Sequence, residues 1–131
     1  MIAISDIKVG VITLEESKCE FEALRGLALC GVPRENIEVK HIPSASKASL
    51  MAIFFAEYTD VDAVVVLAEN DNSPEYAAML YGVTKLQISW NMPVLIGDCI
   101  VASEVADMVA MQNEMEAAAP EHISPDRKSI N

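Results

Sequence analysis

The polar quartet Glu69-Asn70-Asp71-Asn72 stands at the end of an apolar run that starts at Val61 (V-D-A-V-V-V-L-A). Carboxylates and amides so close together can supply hard oxygen ligands to Mg²⁺ or Ca²⁺. They can equally be solvated turn and helix-cap residues, favoured there by the helix dipole. Other candidates follow other apolar runs: Leu14, Glu15 and Glu16 after I-K-V-G-V-I-T, His41 and Ser44 around K-H-I-P-S, and Asp98 after V-L-I-G. An unbroken apolar run of this length reads as a strand buried on both faces, the kind found in parallel sheets covered by helices. In open sheets of that type ligands bind at the carboxyl ends of the strands, so all of these residues gather around one crevice.

The crevice would be acidic. Glu15, Glu16, Glu69, Asp71 and Asp98 stand against one titratable cation candidate, His41. A dianionic phosphate there would meet like charges costing about 1 kcal/mol per close pair even in water. Acids after the first and third strands are also how a receiver domain holds magnesium, but that chemistry needs a Lys after a later strand, and Gly97-Asp98-Cys99 offers none. Cys99 as a nucleophile lacks a positioned base. No Ser-His-Asp set, Gly-rich phosphate loop or paired-Cys metal site can be assembled, so neither a cofactor nor a metal is expected.

The elements that must position these groups alternate strand and helix four times. Ile7–Thr13 is a buried strand, and Ser17 can cap a helix showing Phe21, Leu24 and Ala28 on one face. Gly31-Val32-Pro33 ends that helix. Ile37–His41 alternates apolar and polar, as an edge strand does. The next helix, to about Tyr58, is apolar nearly all round (Ala48, Leu50, Met51, Ile53, Phe54, Phe55), more than one sheet face can cover, so a second subunit is expected on it. After the central strand, Ser73-Pro74-Glu75 starts a helix whose stripe is Tyr76, Met79, Leu80, Val83, Leu86 and Trp90. Asn91-Met92-Pro93 turns into the strand Val94–Ile96, and a last helix from about Ala102 to Ala118 carries Val105, Met108, Val109, Met111 and Met115. The expected fold is α/β: a three-layer α/β/α sandwich on a four-stranded parallel sheet with flavodoxin-like winding. It forms one domain over 1–120, followed by a polar tail, 121–131, held only if a neighbour holds it.

Composition narrows the function classes. The chain has 131 residues, enough for a core without staples. Apolar residues make up 52% and aromatics 5%, so the core is aliphatic, with seven Met. A net charge of −11 repels nucleic acid and anionic lipid alike. No segment has the roughly 18 apolar residues of a membrane span, and the N-terminus lacks a signal-peptide layout, so a soluble cytoplasmic protein is expected. Cys19, Cys30 and Cys99 have no metal or redox spacing and read as small buried hydrophobes.

Two longer stretches carry a family resemblance. G-V-P-R-E-N-I-E-V-K-H-I-P-S (Gly31 to Ser44) and G-V-T-K-L-Q-I-S-W-N-M-P-V-L-I-G (Gly82 to Gly97) are similar, in that order, to the lumazine synthase and archaeal riboflavin synthase-like family. With K-V-G-V-I-T and D-A-V-V-V-L the similarity covers roughly residues 8 to 110. It implies a pentamer-forming homo-oligomer with sites at subunit interfaces, where a ribityl-aminopyrimidine is joined to a four-carbon sugar phosphate. A flavin or pyrimidine-like small ligand is the corresponding expectation.

The sequence departs from that family at the sites. Leu14-Glu15-Glu16 stands where the family has an aromatic-Asn pair, and Ser44 where it has the Gly that lets backbone approach ligand; the expected Glu is out of register, Lys47 standing nearby. Glu69 to Glu75 replaces a longer loop with an Arg-Gly-x-Thr phosphate element and a catalytic His; it has no His, Arg, Lys, Thr or Gly. No cation from the last helices is matched before Arg127. Two functions are therefore expected: a lumazine-synthase-like self-assembling subunit without the chemistry, structural or ligand-binding, or a divergent transferase of riboflavin biosynthesis completed by Arg127 and Lys128 of a neighbour.

Overall fold

Four parallel strands form one sheet in the order β2-β1-β3-β4, with β1 Val9–Leu14, β2 Ile37–Ile42, β3 Ala63–Leu67 and β4 Val94–Gly97. The computed structural model describes residues 3–14, 19–97, 102 and 104–119. Among the described residues four α-helices join and follow the strands: α1 Glu20–Leu29, α2 Ala48–Tyr58, α3 Pro74–Trp90 and α4 Val105–Ala118. The order matches the expected flavodoxin-like winding, and β2 is an edge strand as its alternating sequence requires.

Side-chain alternation along the strands divides the core into two layers. Val9, Val11, Ala63, Val65 and Leu67 face Ala23 and Leu27 of α1 and Val105 and Val109 of α4. Ile12, Val64, Val66 and Val94 face Ala48, Ala52 and Phe55 of α2 and Met79 and Val83 of α3. All five residues of β3 are buried, which explains its unbroken apolar sequence.

Local chemistry sets the helix ends. Ser73 has extended backbone and its Oγ accepts from the Tyr76 N–H at 3.0 Å, with Pro74 occupying the first helical position. Asn91 closes α3 in the left-handed region. Gly31, at φ +99°, closes α1, where the Gly31 and Val32 amides bond back to Ala28 and Leu27.

Several helix faces differ from expectation. In α1 the buried residues are Ala23 and Leu27, while Phe21 and Ala28 are exposed. The α1 stretch has apolar side chains on more than one face, so three-to-four spacing alone fits two stripes. In α3 only Met79 and Val83 of the expected stripe are fully buried, and Leu80 and Trp90 are on its exposed shoulder. The helix after β4 starts at Val105, and its Val105, Ala106 and Val109 turn inward while Met108, Met111 and Met115 turn out. Cys19 and Cys30 are half-buried rather than core residues. Among the described residues no helix is long and apolar enough to cross a membrane.

Candidate functional site

Parallel pairing brings the strand ends level. Thr13 of β1 is opposite His41 of β2 on one side and Leu67 of β3 on the other, and Leu67 is opposite Gly97 of β4. One residue further on, Leu14 is paired with Ile42. The carboxyl ends thus form a row, and the described candidates beside it, His41, Ser44 and Glu69 to Asn72 with Leu14, lie on two different faces.

On the α1 face, His41 Nε2 contacts the Glu20 carboxylate, which sits in the first turn of α1; both side chains are half-exposed. Thr13 between them and the centre of the sheet is buried, its hydroxyl donating to the Leu14 carbonyl at 3.3 Å. A carboxylate held against one ring nitrogen orients an imidazole and leaves the other nitrogen to face a substrate. Glu20 escaped the sequence reading because it lies 21 residues before His41. Its signal was an acid in the first turn of the helix that connects two adjacent parallel strands, which must start beside the second strand's end.

On the α2 and α3 face, Leu14 is partly buried against the core beneath. The Ser44 hydroxyl shares a 2.9 Å hydrogen bond with Ser46 in the turn before α2. Lys47, exposed, ends that turn, and Lys40 is engaged by Glu38 at 3.5 Å.

The loop after β3 is built by its own polar groups. Asn70 Oδ1 accepts from the Asn72 N–H at 2.9 Å, and Asp71 Oδ1 accepts from the Ser73 N–H at 3.0 Å. Asn72 takes the left-handed conformation, φ 59°, which Asn tolerates. The Ser73 hydroxyl, then its amide, holds the Asp71 carboxyl below the ordinary carboxylate range. Asn70, Asp71 and Ser73 therefore shape the turn and start α3, which is the cap role, while Glu69 is exposed with no such tie among the described contacts.

Glu15, Glu16, Ser17, Asp98 and Cys99 lie outside the described residues, as do His122, Arg127 and Lys128. Among the described residues no group of three or more His, Cys, Asp or Glu could hold a metal ion. A groove of about 580 Å³ lies at the other end of the sheet, where Gln87, Asn91, Met92 and Pro93 face Met108, Met111, Gln112, Met115 and Glu116 of α4. The groove and the described carboxyl ends of the strands are thus separate places.

No family model matches the chain. It is similar to the 6,7-dimethyl-8-ribityllumazine synthase of Parabacteroides distasonis, 28% identical over 104 residues, which cover 71% of this chain and 65% of that protein. The similarity supports a lumazine-synthase-like relationship.

Proposed function

We propose that this chain is a lumazine-synthase-like subunit that assembles into a homo-oligomer on a five-fold ring and does not itself make lumazine. Its role is structural, or it binds a small flavin-like or pyrimidine-like ligand in the crevice between subunits. The observation carrying this reading is the loop after β3: where the resemblance calls for a phosphate clamp and a proton shuttle, Asp71 is held ionised by Ser73 and no residue from Glu69 to Glu75 can carry positive charge. A helix surface left apolar supports assembly, since Leu50, Phe54 and Tyr58 of α2 and Leu80, Tyr81 and Ile88 of α3 are all exposed in the single chain. Purified protein incubated with both lumazine synthase substrates tests the loss of chemistry, and sedimentation tests the assembly. A flavin-coloured preparation would point to the ligand-binding form of the role.

One observation favours a second reading, a divergent transferase of riboflavin biosynthesis with different catalytic groups. The His41–Glu20 contact has the composition of a general acid/base unit at a strand end. On this reading His41→Gln abolishes turnover while leaving the fold intact; on the first there is no turnover to lose.

A further inference from the structure

The groove beside β4 is assembled from the last turn of α3, the Met92-Pro93 turn and the length of α4 from Met108 onward. Gln112 spans it, its Nε2 donating to the Asn91 carbonyl at 2.8 Å, and Gln87 Oε1 accepts from the Val94 amide at 3.3 Å. The walls are therefore fixed to the end of α3 and to the edge strand, so the groove exists before anything enters it. Met108, Met111 and Met115 follow one another along two turns of α4 and are 41%, 55% and 75% exposed, with Met92 across from them. Flexible thioethers in a row provide an adaptable apolar floor for another helix rather than a shaped pocket for one rigid molecule.

The electrostatics specify the charge of that helix. The carboxyl ends of α3 and α4 both point into this region with their partial negative charge, and neither helix has a basic residue in its last turn. Asp107, Glu114 and Glu116 are exposed on α4, and no Lys or Arg occurs from Leu86 to Ala119. An apolar floor with Glu116 on its rim, two helix carboxyl ends beside it and no Lys or Arg in its lining complements a helix that is apolar on one face and cationic on its flanks. We infer that the groove between the end of α3 and α4 is a docking site for a Lys- or Arg-flanked amphipathic helix of a partner protein. The groove is at the opposite end of the sheet from the proposed ligand crevice, so this inference does not rest on that crevice.

The test titrates the full chain with a fluorescent Leu/Lys amphipathic peptide of about four helical turns, alongside a variant carrying Met111→Gln and Met115→Gln. That substitution keeps the charge and alters only exposed side chains, and an unchanged circular-dichroism spectrum confirms the fold. Binding to the unaltered chain at about 10 μM or tighter, weakened about tenfold or more in the variant and unchanged by Phe21→Gln on α1, is the expected result. Equal binding by the Met→Gln variant would mean charge adhesion alone and overturn the proposal. So would no binding at about 100 μM. A chain ending at Ala119 that binds about tenfold tighter than the full chain would identify residues 120–131 as the occupant instead, which also overturns it.

Discussion

Gly10 and Phe55 occupy one volume: a Cβ placed on Gly10 would stand 2.7 Å from Cδ1 of the Phe55 ring, which is itself fully buried. The inner strand β1 gives up a side chain so that the Phe55 ring of α2 can pack in its place. Gly10→Ala forces that ring or the helix outward, and overpacking of this kind costs about 1–3 kcal/mol. Urea denaturation should show that loss, and the double change Gly10→Ala with Phe55→Leu should recover part of it, since residues in contact couple. Additive losses would mean the two do not share the space.

Phe54 and Phe55 are neighbours in sequence with opposite fates. Phe55 is 2% exposed and belongs to the core, whereas Phe54 is 38% exposed and stacks toward Tyr58, ring centroids 5.8 Å apart. Phe55→Glu should therefore unfold the chain, because it buries an unpaired charge. Phe54→Glu should leave the fold and dissociate the proposed assembly. Sedimentation and circular dichroism on both variants check this, and a Phe54→Glu protein with unchanged mass would remove α2 from the interface.

What could be read from the sequence followed the strength of each local pattern. The strands were legible because V-G-V-I-T and A-V-V-V-L are buried on both faces and end at polar residues, and the α3 start because Ser73-Pro74 acts through a cap and a fixed φ. Helix faces were less legible. α1, α2 and α4 have apolar residues on most sides, so spacing alone could not choose Ala23 and Leu27 over Phe21, or separate Phe55 from Phe54. The His41–Glu20 contact depends on strand order and was invisible in a linear reading.

Ser73 links loop charge to helix stability. Ser73→Ala removes the cap on Tyr76 and should cost about 1 kcal/mol in thermal or urea unfolding. The same hydroxyl helps keep the Asp71 pKa below its ordinary 3.8. A carboxylate with its folded-state pKa depressed adds stability that is complete above the unfolded value and disappears as pH falls through the folded one. Asp71→Asn should accordingly lower stability at neutral pH and flatten its fall below about pH 4, and a variant that kept the full slope below about pH 4 would contradict the assigned contact.

The central claim is that the chain keeps a lumazine-synthase-like scaffold without the lumazine reaction. A missing general acid/base costs about 10² to 10⁴ in rate, and loss of preorganised charge stabilisation costs a comparable further factor. The decisive measurement is single-turnover and steady-state kinetics of the purified protein with the ribityl-aminopyrimidine and the four-carbon sugar phosphate. The account predicts lumazine formation no faster than the uncatalysed condensation; turnover at about 10⁻² s⁻¹ or above would contradict it, because that rate demands a clamp and a proton shuttle.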